Sequence, residues 1–320
     1  MLIFPLRVAH LEIPLWIPIT LFAAIMQTWR TGLQTRLKGT LSAEAASFVR
    51  YLYALPLELL ALLFLLWRFG DDPFIGTQPL FLFFCLAGGV AQILGTLFLV
   101  RSFHSRGLVT GTAYAKTEAA QLVILTVLFL GSEIQAMAIL GIFLALLGVL
   151  LLSGQGFAFV ERDFWRGLRE PAARYGLAAA FSFALTAIAL RAASQHGDPH
   201  LPVLALGLWM LLVTNTLQTL LQGSWLLLHK RADLRASLHQ WRVAWPVGVL
   251  SALGSWAWFS GFALTQVALV RGLGQVDTLL VFLFGHRILK ERLGRAEIVA
   301  TLLIVLGALC IIAPDIHWHG

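Results

Sequence analysis

Long apolar runs, separated by short charged or Pro- and Gly-containing breaks, make up most of this 320-residue chain. Each run approaches or exceeds the roughly 20 residues that an α-helix needs to cross the hydrocarbon core of a bilayer. The runs predict ten membrane-spanning helices, over residues 13–33, 44–67, 79–100, 107–130, 134–153, 172–193, 201–228, 242–266, 271–288 and 295–313. We therefore expect an all-α integral membrane protein.

The longest hydrophilic break, residues 154–176, separates two groups of five predicted helices. It alternates aromatic residues such as Trp165 with arginines such as Arg166, which is typical of an amphipathic segment lying at the membrane interface. The predicted organisation is a first five-helix repeat over residues 1–153, an interfacial linker over 154–176 and a second five-helix repeat over 177–320.

The two groups of helices resemble copies of one unit. A shift of about 159 residues places Gly148 on Gly307 and Glu118 on Asp277, and it holds without a gap from the third helix to the tenth. Because five is an odd number, the second copy must enter the membrane in the opposite sense. Inverted repeats of this kind are typical of secondary transporters, whose binding site lies near the membrane midplane.

Composition agrees with this interpretation. The chain is 59% hydrophobic and 12% charged, whereas an ordinary soluble domain is about 25% charged. The net charge of +7 does not indicate nucleic-acid binding, because the basic residues lie in the predicted loops. The cysteines and histidines form no metal-binding spacing, and no phosphate loop or nucleophile motif occurs. We expect no cofactor, no metal and no enzymatic activity.

Basic residues also predict the orientation. They concentrate in the loops after the first, third, fifth, seventh and ninth helices. The positive-inside rule places these loops in the cytoplasm and both termini outside the inner (plasma) membrane. No cleavable signal peptide is evident, so the first apolar run is expected to begin the first span.

Each half ends in a similar pattern, "GTAYAKTEAAQLVILTVLFLGSEIQAMAILGIFLALLGVLLLS" and "LTQVALVRGLGQVDTLLVFLFGHRILKERLGRAEIVATLLIVLGALCIIAP". A glutamate precedes the final span (Glu133, Glu291), and that span contains a glycine (Gly148, Gly307). These patterns resemble the EamA repeat of the drug/metabolite transporter superfamily. The resemblance implies a permease built as a basket of ten helices that opens alternately to each side. It does not define the cargo, and many relatives keep their termini in the cytoplasm, unlike the orientation predicted here.

Glu118 lies near the middle of the predicted fourth helix. An ionisable residue at this depth costs roughly 2.5–3.5 kcal/mol on insertion scales, which makes it a functional candidate. On a continuous helix Tyr114 and Gln121 would share its face, while Lys116 would face elsewhere. We expect Glu118 to bind a substrate amine or a proton, with Asp277, Tyr114, Gln121 and Lys116 around it in the substrate site. The structural alternative is a buried ion pair of Glu118 or Lys116 with a neighbouring helix.

Asp277 is the symmetric candidate on the ninth helix, with Gln275 beside it. It would contribute to the same substrate site. Its structural alternative is an ion pair with Arg271 or Lys116.

Glu58, on the second helix, is a candidate proton carrier. The equivalent seventh helix offers an uncharged polar residue, Asn215, which we include in the substrate site. The alternative for Glu58 is a helix-stabilising ion pair with Arg50 or Arg30.

Two arginines and two tryptophans complete the candidate set. Arg30 and Arg191 end the first and sixth helices, where they would act as gates or anion clamps, or extend to the interface as lysines and arginines commonly do. Trp256 and Trp258 would form an apolar wall for an aromatic or cationic cargo, or make ordinary core and lipid contacts.

These residues predict a secondary transporter that exports a small polar metabolite, an amino acid or related amine, by alternating access with proton coupling or exchange. Its partners would be the small-molecule substrate, protons and membrane lipids, and it would be a monomer or a homodimer. The alternatives are a flippase for a lipid-linked sugar or other amphiphile, and a membrane-embedded partner protein without transport activity.

Overall fold

The structure is a computed structural model that describes residues 6–8, 11–34, 41–69, 77–106, 114–130, 133–152, 171–289 and 295–318. Helices occupy part of every one of the ten predicted ranges. They are α1 Trp16–Gln34, α2 Ala43–Leu52, α3 Leu55–Phe69, α4 Pro79–Arg106, α5 Glu118–Leu130, α6 Ala136–Leu150, α7 Pro171–His196, α8 Val203–His229, α9 Arg231–His239, α10 Trp241–Leu264, α11 Val267–Leu273, α12 Val276–Leu289 and α13 Arg295–Ile312.

Six helical stretches are long and apolar enough to cross a bilayer, namely Glu44–Trp67, Pro79–Ser102, Pro171–His196, Val203–His229, Trp241–Leu264 and Ala296–Asp315. Two shorter apolar helices cover Glu118–Leu128 and Ala136–Leu150. Large apolar side chains such as Leu60, Phe64 and Trp67 of α3 are more than half exposed, as expected for a surface that contacts lipid tails. The protein is therefore a multi-pass membrane protein.

Three of the predicted continuous spans are interrupted. The turn Tyr53–Ala54 separates α2 from α3, and the turn Gly274–Gln275 separates α11 from α12. A third turn, at Lys116 and Thr117, directly precedes α5. The predicted continuous helix around Glu118 is thus wrong. The hydrophobicity of a segment shows that it is buried in a membrane, but does not reveal where its hydrogen-bond ladder breaks.

Most of the predicted interfacial linker, residues 154–170, lies outside the described residues. Its last six residues are helical rather than linker, because α7 begins at Pro171. Proline suits the first turn of a helix, where its missing N–H group costs no hydrogen bond.

The chain divides into two compact units, and each draws on both halves of the sequence. The first unit consists mainly of Ile25–Ile93 and Leu185–Leu264, and the second of Leu2–Ala24, Leu94–Ala184 and Thr265–Gly320. In the first unit, α8 packs against α2, α3 and α10. In the second unit, α6 packs against α13, and α11 contacts α5, α6 and α13.

Glycines permit an unusually close approach of α6 and α13 in the second unit. A Cβ atom added to Gly148 would lie 2.6 Å from the carbonyl oxygen of Ala300, and one added to Gly307 would lie 2.6 Å from the amide nitrogen of Ala145. Small residues bring membrane helices into backbone contact in this way. Gly148 and Gly307 are equivalent in the predicted repeat, so the last helices of the two halves pack through matched positions.

A small antiparallel sheet joins the N- and C-terminal segments in the second unit, an element that the sequence did not predict. It contains β1 Leu6–Val8, β2 Leu11–Ile13 and β3 His317–Trp318. β2 pairs with β1 and with β3, so that Leu11 lies opposite Trp318. Strands of two or three residues carry too little alternation to be recognised from sequence. The membrane-spanning elements themselves are helical, as predicted.

Candidate functional site

Two turns interrupt apolar helical segments at equivalent positions of the predicted repeat. The shift of about 159 residues places the turn at Lys116 and Thr117 within one residue of the turn at Gly274 and Gln275. Each turn is directly followed by a helix that carries an acidic residue in its first turn, Glu118 in α5 and Asp277 in α12. A negative charge is favoured there because the first N–H groups of a helix have no partner within it.

Two ion pairs connect these segments. Lys116 Nζ donates to both carboxylate oxygens of Asp277, at 2.6 and 2.8 Å. Arg271 Nε donates to Glu118 Oε1 at 2.5 Å, and its Nη2 donates to Glu118 Oε2. Each pair therefore joins one half of the chain to the other. Both carboxylates are buried, while the two cationic side chains keep 24% and 19% of their surface exposed.

Glu118 and Asp277 thus form the buried ion pairs that were the structural alternatives to an unpaired substrate site. These charged side chains form ion pairs rather than unpaired groups, and their place in a substrate site stays a prediction. The prediction that Lys116 faces away from Glu118 assumed a continuous helix. The turn removes the helical geometry on which that prediction depended, and the ammonium group reaches Asp277.

Tyr114 and Gln121 do not form the predicted continuous face with Glu118. Tyr114 is buried and precedes the turn, where its carbonyl oxygen accepts a bond from Thr117 Oγ1 at 2.6 Å. Gln121 Nε2 donates to Thr117 Oγ1 at 3.2 Å and to the carbonyl oxygen of Leu177 at 3.4 Å. Its amide therefore contacts the turn and α7.

Gln275 lies in the second turn, and its side chain is buried. Neither its Nε2 nor its Oε1 has a hydrogen-bond partner among the described residues. A buried amide without partners is costly, by about 1–3 kcal/mol for each unsatisfied group, so it is a candidate for contact with a ligand. The assignment of Gln275 to the substrate site stays a prediction.

A separate polar cluster occupies the first unit. Asn215 Nδ2 donates to Glu58 Oε1 at 2.5 Å, and both residues are buried. Glu58 Oε2 has no hydrogen-bond partner among the described residues. The expected ion pair of Glu58 with Arg30 or Arg50 does not occur in the described part of the chain, where Glu58 has a neutral amide as its partner.

The polar face of α8 extends beyond Asn215. Gln218 Nε2 donates to the carbonyl oxygen of Gly89 at 3.0 Å and to Gln92 Oε1 at 2.8 Å. One turn further on, Gln222 Nε2 donates to the carbonyl oxygen of Glu44 at 3.3 Å. The Oε1 atoms of both glutamines have no hydrogen-bond partner in the described residues. Buried amides therefore follow α8 from its middle toward its C-terminal end.

Trp256 and Trp258 have different hydrogen-bond partners. Trp256 Nε1 donates to the carbonyl oxygen of Leu204 at 2.7 Å, while Trp258 Nε1 donates to Gln27 Oε1 at 3.1 Å. The two indoles thus contact different helices, α8 and α1. Trp258 is buried and stacks on Phe262 with ring centroids 6.2 Å apart. Trp258 therefore makes core contacts, and the wall for an aromatic or cationic cargo stays a prediction.

Arg191 has a structural role in the first unit. Its Nη1 donates to the carbonyl oxygens of Phe262 and Ala263, at 2.9 and 2.6 Å. These are among the last carbonyls of α10, which have no partner within the helix and favour a positive charge. Arg191 therefore completes the end of α10. Arg30 lies half-buried in α1, and its gating role stays a prediction.

A groove of about 810 Å³ lies in the first unit at the turn between α9 and α10. Arg235, His239, Trp241 and Arg242 are among its lining residues. It includes none of the residues that the sequence predicts for the site.

Sequence reasoning missed the pairing of Arg271 with Glu118 and considered Arg271 only as a partner of Asp277. A signal was present, because each turn region carries one cation and one anion, Lys116 with Glu118 and Arg271 with Asp277. Crossed pairing between two such regions satisfies all four charges. Gln92 was also missed, since a glutamine in an apolar helix is not distinctive by itself.

Part of the chain is similar to a known protein family, and its fold is similar to that of a solved structure. Residues 171–313 match the model of the EamA-like transporter family. No curated protein sequence matches the chain. A solved structure titled "Crystal structure of protein" is similar, with a TM-score of 0.69 and 16% identity over 93% of this chain and 96% of that one. At this identity the likeness shows a shared fold. The family match agrees with the resemblance drawn from the sequence, and residues 171–313 are similar to the EamA-like transporter family.

Proposed function

We propose that the protein is a ten-helix secondary transporter that exports a small polar metabolite, an amino acid or related amine, across the inner membrane by alternating access. Its two inverted repeats would be residues 1–153 and 177–320. Helices in all ten predicted ranges support this architecture. The pairing of β2 with β3 supports it further, because termini on the same side of a membrane require an even number of crossings.

The observation that carries the proposal is the pair of crossed ion pairs at matching helix interruptions. Interrupted membrane helices are typical of transporter binding sites, where free backbone groups and charged side chains face the cargo. Here Glu118, Lys116, Arg271 and Asp277 supply two positive and two negative charges, and Gln275 adds a buried amide without partners.

This charge arrangement suits a zwitterion. The ammonium group of an amino acid would replace Arg271 at the carboxylate of Glu118, and its carboxylate would bind the released guanidinium. A planar guanidinium binds a carboxylate through two parallel bonds, which also fixes the orientation of the cargo. Because each ion pair links the two halves of the chain, cargo binding would release a link that holds one state of the transporter.

Loop charge supports the orientation in this proposal, with both termini outside and the basic loops in the cytoplasm. The indole hydrogen bonds of Trp256 and Trp258 leave neither N–H group for an amphiphilic cargo. The geometry therefore favours a zwitterion over a lipid-linked sugar.

Counterflow into proteoliposomes with a panel of amino acids and amines tests the proposal. The wild type should take up at least one member, and Glu118→Gln and Arg271→Gln should each reduce that uptake at least about tenfold, since each removes one half of a charge-assisted contact. Glu133→Gln is the matched control, because Glu133 is exposed, and it should transport normally.

Two outcomes would contradict the proposal. Unchanged uptake in both Glu118→Gln and Arg271→Gln would show that these residues do not form the cargo site. If the folded protein takes up no zwitterion and no amine, the proposed cargo class is wrong.

A further inference from the structure

We propose that Glu58 is the proton-binding residue that couples transport to a pH gradient, with Asn215 as the residue that positions its carboxyl group. The proposal rests on the transport function above and adds its coupling ion. Glu58 belongs to a different unit from the ion-paired carboxylates.

Position is the first reason. Glu58 lies near the middle of the 24-residue span Glu44–Trp67, and Asn215 near the middle of the 27-residue span Val203–His229. Gly89 and Gln92, which bind Gln218, lie near the middle of the 24-residue span Pro79–Ser102. Polar groups at the centres of three apolar spans lie at membrane depth, where an ionisable residue is rare and usually functional.

The second reason is what contacts the carboxyl group. Glu58 is 1% exposed, and its described partner is the amide of Asn215 at 2.5 Å. An amide donor binds either the charged or the neutral carboxyl group. It therefore holds Oε1 in place while Oε2, which has no partner among the described residues, gains and loses a proton. Binding forms one O–H bond at Oε2, and release returns the proton to water.

The third reason is the absence of a counter-charge within the described residues. α8 and α10 pack against α3, and their ionisable residues, His229 and Arg242, lie at helix ends. On α2, Arg50 lies over the Tyr51 ring at 5.5 Å, and Glu44 pairs with Lys230 at 2.9 Å. On α1, Arg30 forms no described ion pair with Glu58. A buried carboxylate without a cation is costly, and proton binding removes that cost.

The polar face of α8 provides a connection to the helix end. Gln218 and Gln222 follow Asn215 at intervals of three and four residues, so the three amides share one face. The last of them contacts Glu44, whose carboxylate accepts from Lys230 at the end of the helix. A buried file of amides with unused oxygens can hydrogen-bond the water that carries a proton to Glu58.

The test uses proteoliposomes and the cargo identified by counterflow. A pH gradient should drive accumulation of that cargo in the wild type. Glu58→Gln should reduce gradient-driven accumulation at least about tenfold, because it removes the titrating group, while counterflow continues. Glu58→Asp should restore part of the coupling, and Glu133→Gln should behave as the wild type.

Gradient-driven accumulation that persists in a folded Glu58→Gln variant would overturn the inference. So would a wild type that shows counterflow but no response to a pH gradient. If counterflow itself fails, the proposed function fails, and infrared spectroscopy still decides the present inference. The purified wild type should show the C=O stretch of a protonated carboxyl group, and the intensity of this band should change with pH. The same pH-dependent band in Glu58→Gln would contradict the assignment.

Discussion

Buried carboxylates in the two units are satisfied in different ways. In the second unit, Glu118 and Asp277 each bind a cation through both oxygens. In the first unit, Glu58 binds a neutral amide through one oxygen. A cation favours the charged form of its carboxylate and joins two helices by an ion pair. An amide can hydrogen-bond to either the charged or the neutral carboxyl group. The comparison suggests a division of work, with charge pairs that exchange with the cargo and a single carboxyl group that exchanges a proton.

The largest expected effect is on the free energy of unfolding, and it should differ between a variant of the second unit and a variant of the first. Arg271→Ala should lower the free energy of unfolding by about 3–5 kcal/mol, because Glu118 is left buried without its counter-charge. Glu58→Gln should change it by less than about 1 kcal/mol, since the amide of Asn215 can still donate to the new side-chain oxygen. Denaturant titration of both variants in detergent measures the difference. Equal losses would show that the two carboxyl environments do not differ as described.

A smaller effect is expected from the backbone that carries Arg271. A Cβ atom on Gly272 would lie 2.6 Å from Cγ1 of Ile142. Gly272→Ala should therefore cost about 1–3 kcal/mol through overpacking and should reduce counterflow by displacing the guanidinium group. Gly32→Ala is the control, because nothing lies within 4 Å of the added atom. A loss in Gly272→Ala/Ile142→Ala no larger than in Ile142→Ala alone would confirm the cause, because alanine has no Cγ1 atom. Unchanged stability in Gly272→Ala would contradict the close contact.

The smallest expected effect concerns Arg191, whose described contacts are hydrogen bonds to the end of α10. Arg191→Met removes two hydrogen bonds to carbonyls at the end of α10. It should lower the free energy of unfolding by about 1–2 kcal/mol and leave counterflow and pH coupling unchanged. Thermal melting and transport assays check both parts. A specific loss of transport in a stable Arg191→Met variant would support the gating role that the sequence predicted.

The helical ranges could be predicted from the sequence because hydrophobicity alone fixes where a membrane helix lies. Gly274 gave a hint of the second interruption. The turn at Lys116 and Thr117 contains neither glycine nor proline, so its local composition did not indicate it. The error at Tyr114 and Gln121 followed from that missed turn, since a shared face requires an unbroken helix.

Candidate residues were easier to predict than their partners. Glu118, Asp277 and Glu58 were identifiable because charge at membrane depth is rare. Their partners Arg271, Lys116 and Asn215 lie more than 150 residues away in the sequence, and no local spacing relates such residues. The predicted equivalence of the two halves gave a useful restraint, by placing the regions that bear Glu118 and Asp277 at matching positions.

Cargo binding to purified protein tests the division of work most directly. Affinity for the cargo identified by counterflow would be measured across a pH series for the wild type, Glu118→Gln and Glu58→Gln. We predict that Glu118→Gln weakens binding at least about tenfold, equal to about 1.4 kcal/mol, whereas Glu58→Gln still binds and loses the pH dependence. Normal binding by Glu118→Gln, together with loss of binding in Glu58→Gln, would contradict the account.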